Sequence, residues 1–377
     1  MTELDAFIQT PAPLAAEAIN ALRAHLETHW QTPEAYIVSA FQTRDVVLLA
    51  EDHAIRHNLQ LVHRLIPLLH QAGVTNLCME FGASEDQAAL DQLVTAPTYD
   101  ENQARRLMFN YNVGWAFQEY LDIYRTAWAF NRTLPASAPR FRILNLSYKF
   151  NWADAPLVRT PANARHIYPH GPVDAYRAER VGREVLDRVE KILILTGTPH
   201  AFTYFPLPFF DFNAPGFVRW ENRNLGQLLY QQFPERVYCI LLHQPFESRW
   251  QGGAVRVYPA RGAIDQVLAG YADQRVGFDL GDSPFGALPD DSFYASGYDD
   301  LRLRQLADGY VYERPFPHYE GCTLDEQFLT EANWPEAQRH FPDPDWHRRP
   351  TTLAEYWAQI RSYVDIANRY RSLHAGG

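Results

Sequence analysis

Five short apolar runs, each ending in a polar or ionisable residue, predict an α/β protein with a mostly parallel central sheet. The run 46–50 (Val-Val-Leu-Leu-Ala) ends in Glu51-Asp52-His53, and 77–79 (Leu-Cys-Met) ends at Glu80. The run 141–144 reaches Asn145, 192–195 opens into Thr196-Gly197-Thr198-Pro199-His200, and 237–242 stops at His243. Between the first two runs lies a helical spacing of Ile55, Leu59, Leu61, Val62, Leu65 and Leu69, closed by Ala72-Gly73. Gly there suits the left-handed residue that follows a helix. Strand, helix and strand in that order form a right-handed β-α-β crossover, which pairs the strands in parallel.

The remaining elements follow in chain order. Leu14, Ala18, Leu22 and Leu26 predict an amphipathic helix over 12–30. Ser84 opens a helix through Val94, and 101–131 reads as helical and rich in aromatics. The third strand covers 141–146. Prolines at 156, 161, 169 and 172 predict a long irregular loop over 147–172, before a helix over 174–189 and the fourth strand. The stretch 203–220 carries too much proline for a central strand and reads as a lid. A helix over 222–232 feeds the fifth strand. Residues 244–320 are loop-rich, with short strands near 254–258 and 276–280, and 351–373 is a final helix. One elaborated domain over 1–377 is expected, with a core of about 40–245 and 246–377 packed on it as a helical C-terminal extension.

Bulk composition narrows the function classes. A chain of 377 residues with 46% hydrophobic and 21% charged residues buries a substantial core. The net charge of -11 argues against nucleic acid, whose binders carry a basic stripe, and against an anionic membrane surface. Apolar runs fall short of the roughly 20 residues of a membrane helix. The first residues, Met1-Thr2-Glu3-Leu4-Asp5, show neither a basic nor an apolar signal region. Cys78 and Cys239 sit in strand runs as small hydrophobes, and Cys322 has no nearby partner. A reducing, cytoplasmic location is expected. Aromatics make up 14% of the chain and cluster over 109–152 and 202–220; they read either as core or as the walls of a substrate pocket.

In an open parallel sheet ligands lie at the carboxyl ends of the strands, so the run-ending residues converge. Glu51 and His53, two apart on a strand-to-helix turn, suit general base work or metal ligation. Asp52 reads as a helix cap. His57 shares a helix face with His53 if the helix begins early, and otherwise lies on the surface. Glu80 ends an apolar run, where a carboxylate must be paired, metal-bound or wet; a local Arg is the bland partner. Gly197 lets the backbone approach a ligand before His200, whereas Asn145 and His243 are secondary candidates. The serine-elbow, zinc-helix and phosphate-loop motifs are all missing, which leaves attack by activated water as the simplest chemistry.

The ordered set resembles the superfamily of erythromycin esterases, ChaN-like haem-binding proteins and Tiki/TraB proteases, nearest to the ChaN-like branch. The segment Val-Val-Leu-Leu-Ala-Glu-Asp-His is similar to the ChaN-type "vvllGExH" element, with Ala50 in the place of Gly. Met79-Glu80 matches a second-strand glutamate, and Leu195-Thr-Gly-Thr-Pro-His200 resembles the ChaN "aGngH" and esterase "aHNxH" elements. The likeness spans roughly 45–245, with an echo at 276–280. Arg177 falls where the esterases start a helix with Arg-Asp, but Ala178 stands for the Asp. The resemblance implies a hydrolase of an ester or amide bond in a small or peptide-like substrate, built on Glu51, His53, Glu80 and His200. In a metal-free version, implied by the esterases, His53 takes a proton from water, Glu51 or Glu80 orients it, and His200 serves the oxyanion or leaving group. In a version implied by the Tiki proteases, the same four residues bind a divalent ion, with Zn or Mn suited to such donors. A haem or other planar-ligand binding protein is the alternative.

Overall fold

The apolar runs become strands, and most are buried along their whole length because helices cover both faces of a parallel sheet. The computed structural model describes residues 7–154, 160–209, 217–250, 253–271, 274–342 and 349–373. In chain order the strands are β1 (Val46–Glu51), β2 (Asn76–Met79), β3 (Arg142–Ile143), β4 (Ile192–Gly197), β5 (Leu207–Pro208) and β6 (Trp220–Glu221). They continue with β7 (Val237–Leu242), β8 (Phe246–Trp250), β9 (Gly253–Val257), β10 (Val276–Asp279) and β11 (Gly309–Tyr312). The expected class, α/β with a mostly parallel sheet and flanking helices, is what the chain adopts.

The chain divides into two compact units. The first draws on the chain up to His53, on Thr196–Glu320 and on the chain from Ile366; the second on Ala54–Leu195 and Gly321–Asp365. In the first unit β1 pairs in parallel with β7, and β7 with β11, while β10 runs antiparallel to β11. Every residue of β1 is buried. The helix Pro33–Ala40, capped by the Thr32 side chain, lays Tyr36 over two glycines of β10 and β11. A Cβ at Gly277 would lie 2.5 Å from the Tyr36 Cβ, and one at Gly309 2.0 Å from its hydroxyl, so only glycine admits that ring. β8 and β9 form an antiparallel hairpin.

In the second unit β2 is flanked by β3 and β4, all parallel. The helix Arg56–Gln71 buries Leu59, Leu61, Val62, Leu65 and Leu69 and ends before Gly73 at φ 79°, as its sequence predicts. The expected helix over 101–131 is interrupted: it forms Glu101–Tyr111 and Gln118–Thr133. Asn112 Oδ1 accepts from the Gly114 N–H (2.9 Å) and turns the chain. Glycine also weakens a helix interior by about 1 kcal/mol. The 147–172 loop carries a helix at Pro161–Ile167, and its residues 155–159 lie outside the described residues. So do residues 210–216 of the expected lid.

The final helix is likewise split. Leu353–Val364 stops at Asp365 (ψ 73°), and Ile366–Arg369 resumes in the first unit. The aromatics of 109–152 pack as core: Phe81 stacks on Trp115 at 3.9 Å, and Tyr111, Phe117, Tyr120, Phe141 and Tyr148 are buried. Among the described residues no helix is long and apolar enough to cross a membrane.

Candidate functional site

Strand alternation puts Glu51 and His53 on one side of the chain and Asp52 on the other. On the first side, His53 Nδ1 lies 3.0 Å from Glu51 Oε1. The Glu51 side chain is fully buried, whereas that of His53 keeps 31% of its surface exposed. Because a carboxylate only accepts, the shared proton sits on Nδ1, and Nε2 becomes the basic nitrogen of the ring. A buried carboxylate that fixes tautomer and orientation behind a solvent-reaching imidazole is the arrangement of a general base.

The other side is a clasp. Asp52 accepts from Arg369 Nη2 (2.6 Å) and the Tyr370 hydroxyl (2.6 Å), and Arg369 Nη1 donates to the His53 carbonyl (2.9 Å). Asp52 is therefore not a helix cap; the residue before the helix Arg56–Gln71 is Ile55. Burial pushes the Asp52 carboxyl up, but the charges of Arg369 and Arg256 and the Tyr370 hydrogen bond outweigh it and hold the group below its ordinary range. The turn ends on Ala54, whose φ of 62° is left-handed without being glycine. That conformation costs about 1–2 kcal/mol for an L-residue.

His200 lies half-buried in a single helical turn, Thr198–Ala201, just after β4. Thr198 brings that turn to the end of β1: its hydroxyl donates to Gln244 Oε1 (2.8 Å) and sits 3.2 Å from the Glu51 carbonyl. Gln244 Nε2 in turn donates to the carbonyls of Ala50 (3.0 Å) and Leu242 (3.1 Å). The ends of β1 and β7 and the His200 turn are thus tied by side-chain hydrogen bonds. His243 is engaged at both ring nitrogens, Nδ1 with the Tyr310 hydroxyl (2.7 Å) and Nε2 with Asp265 Oδ1 (3.2 Å), and it stacks on Phe316. It holds the core together.

The second unit carries the other expected residues. Glu80 follows β2, and its Oε1 lies 3.6 Å from Arg177 Nη2. Arg177 is 2% exposed and donates to Ser147 Oγ (2.9 Å), Asp174 Oδ1 (2.9 Å), the Tyr111 hydroxyl (3.2 Å) and the Glu80 carbonyl (3.3 Å). Burial opposes the charge of Arg177, yet Tyr111, Glu80 and Asp174 hold its guanidinium above the ordinary range. Asn145 is buried and structural: its N–H donates to Gln87 Oε1 and its Nδ2 to the Ala83 carbonyl. His57 is buried in the helix Arg56–Gln71, not on the surface.

Sequence reading missed Thr198, Gln244, Arg369 and Tyr370. Thr198 and Gln244 stand beside flagged residues, in Thr-Gly-Thr-Pro-His and Leu-His-Gln-Pro, and proximity to those motifs was the available signal. Nothing local marks Arg369 and Tyr370.

No protein-family model and no curated protein sequence matches the chain. Solved structures do. An erythromycin esterase, an EreC variant in its open conformation, matches with a TM-score of 0.51 at 12% identity, over 77% of this chain and 94% of that one. The chain has the fold of an erythromycin esterase. A Bacillus cereus protein matches with a TM-score of 0.51 at 14% identity, over 80% of this chain and 97% of that one. Haem-bound ChaN of Campylobacter jejuni matches with a TM-score of 0.38 at 12% identity, over 74% and 91%.

Within this fold the residues expected to bind a divalent ion do not form a donor set. Among the described residues no three His, Cys, Asp or Glu side chains converge as metal ligands. Glu51 instead turns its carboxylate to His53, and Glu80 faces Arg177. Burial pushes the Cys78 and Cys239 thiols up, as suits inert core thiols.

Proposed function

We propose that the protein is a hydrolase of an ester or amide bond in a small or peptide-like molecule, with Glu51 and His53 as its base. The observation that carries this reading is the hydrogen bond from His53 Nδ1 to the buried Glu51 carboxylate. His53 Nε2 takes a proton from water, and the water oxygen attacks the carbonyl carbon. The imidazolium that forms is stabilised by Glu51. The tetrahedral intermediate then collapses, the C–O or C–N bond breaks, and the leaving group takes a proton from His53 or His200. An esterase on the same fold supports the choice of bond, and the three buried free cysteines suit the expected cytoplasmic location.

The test is hydrolysis of an activated aryl ester by the wild type, His53→Ala and Glu51→Gln. Each variant should lose about 10²–10⁴-fold in kcat/KM, with unfolding midpoints close to the wild type for His53→Ala. Retained turnover by His53→Ala refutes the assignment. A Soret band on titration with haem, with no ester turnover, favours planar-ligand binding instead.

A further inference from the structure

The helix Val173–Glu184 of the second unit buries two arginines one turn apart, Arg177 and Arg180. The fold treats them differently. Asp174 Oδ1 (2.9 Å) and Glu80 Oε1 (3.6 Å) both face Arg177, which also donates to Ser147 and Tyr111. Arg180 is 9% exposed and makes no hydrogen bond or ion pair among the described residues. The carboxylates beside it on its own helix are used elsewhere: Glu179 pairs with Arg183, and Glu184 with Arg183 and Arg188.

Arg180 stands over β2. Burial raises the Cys78 thiol of that strand, and the charges of Arg177 and Arg180 both pull against it. A guanidinium stays protonated in a protein, so it cannot escape the cost of burial by losing its charge. A buried ion without a counter-charge is strongly unfavourable. The Nε of Arg180 is sealed from solvent and has no acceptor, whereas Nη1 and Nη2 are not sealed. The outer edge of its fork is therefore the edge that a small ligand can reach. Water there would hydrate the fork but bring no charge.

We propose that Arg180 anchors an oxyanion site in the second unit, which takes the carboxylate or phosphate group of a small organic molecule. Two oxygens of either group meet the planar fork in parallel hydrogen bonds. Arg177, one turn away, adds positive charge to the site while keeping its own partners. The site does not depend on the hydrolase reading, because binding alone tests it.

The experiment is calorimetric titration of the full chain with inorganic phosphate and with acetate, and with chloride at equal ionic strength as comparator. Wild type should bind one equivalent of phosphate or acetate at least about tenfold more tightly than chloride, since a second charge-assisted hydrogen bond contributes on the order of a tenfold factor. Tighter phosphate assigns a phosphoryl ligand and tighter acetate a carboxylate, and both support the site. Arg180→Gln should weaken the preferred anion at least about tenfold. Arg180→Lys, which keeps a cation in place should Arg180→Gln fold poorly, should lose the preference over chloride because an ammonium is a point charge. Thermal unfolding is the second measurement: the anion at about ten times its Kd should raise the wild-type midpoint by about 3–6 °C and leave that of Arg180→Gln unmoved. An equal affinity for chloride, no midpoint shift in wild type, undiminished binding by Arg180→Gln, or a kept preference in Arg180→Lys overturns the proposal.

Discussion

Arg177→Met tests the buried network of the second unit. The substitution keeps an unbranched apolar stem and removes the guanidinium, with its charge and four hydrogen bonds, to Ser147, Asp174, Tyr111 and the Glu80 carbonyl. Asp174 is 5% exposed, so its carboxylate is left in a low-dielectric site without its cation. Removing one partner of a buried ion pair costs about 3–5 kcal/mol. For a unit of this size, about 2–4 °C per kcal/mol turns a loss near 4 kcal/mol into a midpoint lower by roughly 8–16 °C. The loss should also depend on pH. Without the guanidinium, burial favours the protonated Asp174 and Glu80, so the folded variant binds protons more tightly than its unfolded chain. Its stability therefore falls as pH rises, and the deficit against wild type is larger at pH 8 than at pH 5. Adding Asp174→Asn should recover part of it. Thermal and urea unfolding at both pH values measure these quantities. A midpoint shift under about 3 °C, or a deficit independent of pH, refutes the account.

Two further outcomes follow from the carboxyls of the first unit. Burial raises the folded pKa of Asp308 from 3.8 to about 6, and the Cys239 N–H and Arg44 only partly offset it. A carboxyl raised in the folded state loses stability as pH climbs between those values, so Asp308→Asn should gain up to about 3 kcal/mol at pH 7 and nothing below pH 4; equal urea midpoints at pH 7 refute this. Asp52 has the opposite sign: its folded value is depressed, so its contribution is present above the unfolded value near 3.8 and is lost as pH falls through the folded one. Asp52→Asn should cost about 1.5–3 kcal/mol at pH 7, and hydrolysis should fall with it because Arg369 also holds the His53 carbonyl. Full activity in that variant removes the clasp from the mechanism.

The strands and their polar ends were legible because buried parallel strands spell continuous apolar runs, and a period of two places Glu51 and His53 on one side. The same rule sends Asp52 the other way, but its partners could not be read: Arg369 and Tyr370 lie 317 and 318 residues further along the chain. His243 looked like Glu51 or Glu80 in sequence, a polar residue after an apolar run. Its assignment turned on Asp265 and Tyr310, which only packing brings to it. β11 is four residues long and follows a loop, so its strand character comes from pairing with β7 and β10 rather than from its own pattern. The break at Asn112–Phe117 was readable in principle from Gly114, but the aromatic periodicity on both sides masked it.

The clasp on Asp52 also orders events in time. A ribosome delivers Asp52 317 residues before Arg369. Until the chain has been made through Tyr370, the His53 turn has its carboxylate neighbour but not its anchor. A nascent or prematurely terminated chain would therefore carry the dyad in an unlatched state, which defers competence until Tyr370 has been added.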